Sequence, residues 1–143
     1  VLEDAEMGRR YLPTTWTGDI SPEQIVACAN QPESGDAKII KNSVERLLAM
    51  AERFYLSGAK GFSSLHWRAH MSIAIAAKVY RQIGVQLANR GYIWHEGRQV
   101  TTRTTKLICS FKAISGLAKR ISRRKHEHNS NLHTSLRGLP YVS

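Results

Sequence analysis

The chain has 143 residues, 42% of them hydrophobic, which is enough for one domain with its own core and suggests no second one. No apolar run approaches the roughly 18 to 20 residues needed to cross a bilayer. Cys28 and Cys109 are too few and too far apart for a disulfide framework, and no Cys/His set has zinc spacing, so an intracellular, reducing setting fits best. A net charge of +10 favours anionic partners without saying which.

Helical signals run almost throughout. The first segment carries Glu3 and Asp4 and ends at Leu12-Pro13. Ser21-Pro22-Glu23-Gln24 then reads as a helix start, with Ser21 at N-cap, Pro22 at N1 and Gln24 closing a capping box, and the helix runs to about Asn30. Residues 32–35 break it, and Asp36 can cap the next. Ile40, Val44, Leu47, Leu48, Ala51, Phe54 and Tyr55 recur at threes and fours, an amphipathic stripe expected to end near Ser57-Gly58.

The most apolar helix is expected over about 63–89. Leu65, Ala69, Ile73, Ala76, Tyr80, Ile83 and Leu87 line one face and Met71, Ile75 and Val79 another, so it should be enclosed on more than one side, with Gly91 at C′. A further helix over about 104–120 places Leu107, Phe111, Ile114 and Leu117 on one face. No strand-like alternation of useful length appears. The expected fold class is all-α, with one domain over 1–122 and a polar, basic tail of little fixed structure over 123–143.

Residues 1–13 read Val-Leu-Glu-Asp-Ala-Glu-Met-Gly-Arg-Arg-Tyr-Leu-Pro. They resemble the end of the second aspartate-rich motif of the squalene/phytoene synthase family, followed by that family's Gly-Arg-x-Tyr-Leu-Pro signature. Two more blocks continue the resemblance in order. Ala76-Ala77-Lys78-Val79-Tyr80-Arg81-Gln82-Ile83 is similar to the family's late helix, and residues 91–100 to the stretch after it; Lys106 stands where the family often has a lysine opening the last helix. Three separated blocks in the right order are far more specific than any one of them.

The resemblance implies the C-terminal part of an isoprenoid-synthase-type helical bundle. In the family the acidic motif reads Asp-x-x-Glu-Asp, so Glu3 and Asp4 would be its last two acids and the opening aspartate would precede Val1. The start has neither an initiating Met nor the basic and apolar segments of a signal peptide. The chain is therefore expected to be the C-terminal portion of a longer enzyme, with the N-terminal half of that chain as its missing partner. Asp4, with Glu3, would ligate Mg2+, or Mn2+, because Asp4 and the motif's opening aspartate, four residues apart, share a helix face and Mg2+ is held by one or two carboxylates plus substrate phosphate oxygens. Arg9 and Arg98 would contact diphosphate through their planar forks. Tyr80 would face the central cavity as the catalytic residue, its other reading being a buried tyrosine bonded to a carbonyl. Tyr11 would border the pocket behind Arg9 or pack on Pro13. Ala74, Ala76 and Ala77 allow close helix approach, the commoner reason for core alanines, or leave room for a prenyl chain.

The chain departs from the family pattern in three respects. The first aspartate-rich motif has no counterpart, so these residues alone are expected to be inactive. His66 stands where many relatives carry proline, and His95 where an acidic or polar residue is common.

The form of residues 11–16, Tyr-Leu-Pro-x-x-Trp, is most similar to the bacterial phytoene synthase branch of the family. That implies head-to-head condensation of two geranylgeranyl diphosphates through prephytoene diphosphate, without NADPH, in a bacterial cytoplasm with peripheral membrane contact. Dehydrosqualene or squalene formation from farnesyl diphosphate is the nearest alternative. Nucleophile-elbow, P-loop and dinucleotide fingerprints are absent.

Arg98, Arg103, Lys106, Lys112, Lys119, Arg120, Arg123, Arg124 and Lys125 form a basic stretch without an acid between them. It permits a different class of function, a basic helical module binding nucleic acid or an anionic membrane. No zinc finger, RNP motif or recognition-helix pattern accompanies it, so a membrane is the expected partner and nucleic acid is not.

Overall fold

Local signals start the helices. At Ser21 the backbone N–H of Gln24 donates to the Ser21 hydroxyl at 3.3 Å, and the Ser21 N–H donates to Gln24 Oε1 at 2.7 Å, a complete capping box. The computed structural model describes residues 1–96, 102, 107–111 and 130–136. Its helices are α1 (Leu2–Glu6), α2 (Thr14–Thr17), α3 (Pro22–Ala29), α4 (Gly35–Lys60) and α5 (Trp67–Asn89), with 3-10 segments at Gly61–Ser64 and Ser130–Leu136. No strand occurs among the described residues, and the fold class is all-α as expected.

Several boundaries differ from expectation. α1 ends at Glu6, and residues 14–17 form the separate turn α2, which no periodicity in so short a run announces. Ser34, not Asp36, caps α4: its hydroxyl accepts the Ala37 N–H at 3.2 Å, which leaves Asp36 in the first turn, where a carboxylate favours the positive end of the helix. α4 continues through Gly58 to Lys60, since a glycine inside a packed helix is tolerated at about 1 kcal/mol. α5 begins at Trp67 instead of 63. Ser63 and Ser64 belong to a 3-10 turn, consistent with the way serine hydroxyls compete for backbone groups, and Leu65 and His66 are extended. His66 has φ −57° and ψ 145°, a proline-compatible pair, so the departure at this position preserves the geometry that proline would impose.

The core lies at one end of the molecule. Ala5 of α1, Leu12, Ile20, Ile25 and Cys28 of α3, and Ala37, Ile40 and Val44 of α4 are buried together with Trp94. Ile40 is 0% exposed; burying such a side chain contributes roughly 1.5–3 kcal/mol. α2 is held to α4 by the Arg46 guanidinium, 4.3 Å from the centre of the Trp16 ring, and by the buried Ser43 hydroxyl, which bonds the Ile39 carbonyl at 2.8 Å and reaches the Trp16 carbonyl at 3.5 Å.

Trp94 enters that core because the chain reverses after α5. The Gly91 N–H donates to the Ala88 carbonyl at 2.9 Å and the Tyr92 N–H to Leu87 at 2.9 Å, with Gly91 at φ 69°: a Schellman turn, as the C′ glycine suggested. Tyr92 follows at φ 60°, a left-handed conformation that costs a residue with a side chain about 1–2 kcal/mol. Burial of Trp94 two residues later offsets that cost.

α5 is less enclosed than its composition suggests. Only His70 and Ala74 are buried along it, and Ala69, Ile73, Ala76 and Tyr80 face outward. Of the helix expected over 104–120, residues 107–111 are helical and the remainder lies outside the described residues. Within the expected unstructured tail, Ser130–Leu136 is 3-10 and Leu132 is buried.

Candidate active site

The signature at residues 8–12 divides its side chains between structure and surface. α1 ends in a Schellman turn: the Gly8 N–H donates to the Ala5 carbonyl at 2.9 Å and the Arg9 N–H to the Asp4 carbonyl at 2.8 Å, with Gly8 at φ 70°. Glycine is required there because a Cβ is strained at that angle. The turn thus ties the backbone of Arg9 to that of Asp4. After it, inward and outward residues alternate. Arg9 and Tyr11 are exposed; Arg10 donates from Nη1 to the Ile20 carbonyl at 2.7 Å, with the Gly18 carbonyl at 3.4 Å, and Leu12 enters the core. Arg10 is the anchor that holds this segment against the turn after α2. Sequence reading passed over it, because two adjacent arginines carry no signal of which one faces in. Tyr11 does not find the burial that packing on Pro13 would give.

Tyr80 is elsewhere. It lines a groove of about 520 Å3 between α4 and α5, with Leu48, Tyr55, Ile83, Leu87 and Tyr92 among its apolar and aromatic walls. At 65% exposure Tyr80 is not the buried, carbonyl-bonded tyrosine that was its other reading. The helices approach closely at Gly84, where a Cβ would stand 3.1 Å from Leu48 Cδ2. Across the groove Arg81 makes a bidentate pair with Glu52, Nε to Oε2 and Nη2 to Oε1, both 2.6 Å. The Arg81 hydrogen bonds hold the Glu52 carboxyl below its usual range, and Glu52 raises the guanidinium in turn. Arg81, although beside Tyr80, therefore has its fork already occupied by a carboxylate.

Glu3, Asp4 and Arg9 are brought together at the end of α1; neither they nor Tyr11 line the Tyr80 groove. The two surfaces are joined through the core by Trp94, which follows α5 and packs with Ala5 and Leu12. Arg98 and Lys106 lie outside the described residues.

A metal ion fits this surface only as a shared ligand. Among the described residues no three His, Cys, Asp or Glu side chains converge. Glu3 and Asp4 are neighbours on α1, so their side chains diverge by about 100° and do not form a two-point clamp. Asp4 is partly exposed, so its carboxylate is open to a cation from solvent. That donor set suits Mg2+, which takes one or two carboxylates and completes its shell with water and phosphate oxygens. Among the described residues, His70 and His95 each bury an Nδ1 that meets no hydrogen-bond partner, and they stand beside aromatic rings, Phe62 and Trp94, with no metal-ligating cluster around them.

Comparison with known proteins agrees with these residues. The family model described as squalene/phytoene synthase matches residues 1–106. The chain is similar to the 15-cis-phytoene synthase of Pantoea ananas, 35% identical over 128 residues, covering 88% of this chain and 39% of that protein. It is likewise 35% identical over 118 residues to the 15-cis-phytoene synthase of Enterobacter agglomerans, covering 82% of this chain and 38% of that one. Against the phytoene synthase of Rhodobacter capsulatus it is 36% identical over 121 residues, with 82% and 34% covered. The chain thus spans roughly two-fifths or less of the length of these curated relatives. No solved structure matches.

Proposed function

The chain belongs to the squalene/phytoene synthase family, and on that premise we propose that it is part of a phytoene synthase, a prenyltransferase that joins two geranylgeranyl diphosphates head to head through prephytoene diphosphate. The observation that carries this reading is the Gly8 turn. It ties Arg9 to Asp4 and leaves the Arg9 side chain in solvent, while Arg10 and Leu12 are spent on holding the segment in place.

In this reading Asp4 supplies a carboxylate to a Mg2+ or Mn2+ ion shared with the substrate diphosphate, and Glu3 adds negative potential beside it. The ion, when bound, neutralises charge on the departing diphosphate. Arg9 and Arg98 grip the same group bidentately, which a lysine point charge does not reproduce. Arg81 has its fork paired with Glu52 and is not needed for that task. The α4–α5 groove falls within the 300–1,000 Å3 usual for small-molecule sites and offers apolar walls to a prenyl chain. Tyr80 presents the hydroxyl at its rim, and Tyr11 borders the approach to Arg9. No step requires NADPH.

The test is product formation by the natural gene product containing these residues, supplied with Mg2+ and either geranylgeranyl or farnesyl diphosphate. Phytoene from the former, with turnover reduced at least 100-fold by Asp4→Ala, is expected, since losing even an outer-shell partner costs roughly 10–100-fold. Squalene or dehydrosqualene from farnesyl diphosphate would reassign the substrate. An unchanged rate and Mg2+ requirement in Asp4→Ala would reduce Asp4 to a helix-end acid.

A further inference from the structure

Among the described residues Tyr92 is the one non-glycine with a positive φ, 60°. For a bulky side chain that is an outlier, and glycine or asparagine takes the same turn with far less strain. The burial of Trp94 accounts for the turn but not for a tyrosine in it. What the tyrosine adds is a wall, because Tyr92 is half-buried and lines the groove between α4 and α5.

Its place along the groove follows from the register of the two helices. Glu52 pairs with Arg81, and Leu48, one turn earlier on α4, meets Gly84, later on α5, so the helices run antiparallel. Tyr55 and Tyr80 therefore lie toward one end of the groove. At the other, Leu48 and Leu87 pack against the core, and the Tyr92 N–H is bonded to the Leu87 carbonyl at 2.9 Å. From Tyr80 to Ala88 the groove follows α5 for roughly 12 Å. Tyr92 stands where it meets the core.

We propose that Tyr92 is the end stop of this groove and sets the length of prenyl chain it accepts. The occupant, an isoprenoid diphosphate with its head toward Tyr80 and its tail toward Tyr92, rests on the phytoene synthase reading; the position of the stop comes from the fold. Residues in sparsely populated backbone regions persist where the surroundings over-determine them, as at ligand clamps. Here the hydrogen bond to Leu87 and the buried Trp94 fix the backbone on both sides of Tyr92, so it does not retreat before a longer chain. In an apolar pocket one methylene is worth roughly 10–200-fold in discrimination, and a whole isoprene unit pressed against a fixed ring exceeds the lower figure.

The experiment uses the natural gene product containing these residues and two readouts. One is the product ratio from mixed farnesyl, geranylgeranyl and farnesylgeranyl diphosphates with Mg2+. The other is binding of the three corresponding unreactive thiodiphosphates, which needs no turnover. Tyr92→Gly and Tyr92→Asn both accept the left-handed backbone, so neither should unfold the turn, and each should shift both preferences about tenfold or more toward the longest chain. Tyr92→Trp should shift them toward farnesyl by a similar factor, while Tyr92→Phe, which keeps the ring, should keep the parent's ratios. Unchanged ratios in the glycine and tryptophan variants, with circular dichroism like the parent's, would overturn the end stop even where the parent makes phytoene, and would leave Tyr92 a structural wall. If the parent forms no condensation product while the thiodiphosphate preference moves as stated, the catalytic reading falls and the end stop stands. Failure of the parent to bind any of the three analogues would overturn both.

Discussion

The two ends of α4 differ in what surrounds them. Its first half is locked between α1, α3 and Trp94, with Ile40 and Val44 removed from solvent, whereas along its second half and the facing part of α5 the large apolar residues Phe54, Leu56, Ile73 and Tyr80 remain exposed. The same helix, with one continuous amphipathic stripe, is core at one end and wall at the other. The signature at residues 8–12 lies at the packed end: the Asp4–Arg9 turn is flanked by the buried Ala5 and Leu12. The groove bearing Tyr80 is built at the open end, where the helices are held mainly by the Gly84 contact and a half-exposed ion pair.

Truncating one isoleucine at each end gives the largest contrast. Ile40→Ala should cost about 2–5 kcal/mol, because its cavity is surrounded by packed neighbours, while Ile73→Ala should stay within about 0.5 kcal/mol. Urea denaturation followed by circular dichroism measures both, and equal costs would mean that the open face is covered in solution. Next in size is the α1 turn. Gly8→Ala should cost about 1–2 kcal/mol by forcing a Cβ into the left-handed region, whereas Gly35→Ala, with open space and an ordinary φ, should be neutral or slightly stabilising. In the full enzyme Gly8→Ala should also lower turnover, because Arg9 hangs from that turn.

The open end can be stiffened as well as broken. His66→Pro should raise stability by about 0.4–1 kcal/mol through the unfolded state, since His66 already has a proline-like φ and Leu65 before it is extended at ψ 154°. A loss of stability would mean that the His66 ring against Trp67 matters more than chain entropy. The smallest effect concerns pH. Arg81 depresses the Glu52 carboxyl below 4.5, so this pair contributes above that value and the contribution is lost as pH falls through the folded pKa. Both side chains are more than a third exposed, which limits the pair to about 0.2–1 kcal/mol. Glu52→Gln should flatten the stability profile between pH 6 and 3 by that amount, as read from thermal midpoints.

The sequence alone determined the all-α class, the Ser21 capping box, the C′ role of Gly91 and the burial of Ile40 and Val44, because each depends on partners within about four residues or on a helical repeat. It also carried the family, through three blocks in order. Tertiary structure decided the rest. Arg10 and not Arg9 faces inward because the Gly18 and Ile20 carbonyls, eight and ten residues away, are there to accept its hydrogen bonds. Trp94 joins a core made of buried residues fifty or more positions earlier, which no local pattern encodes. Arg81 has its guanidinium fork paired with Glu52, twenty-nine residues away on another helix. The helix start at Trp67 and the exposure of Ile73 and Tyr80 follow from the same cause: periodicity states that a face is apolar, but only the packing of other elements against it decides whether that face is covered.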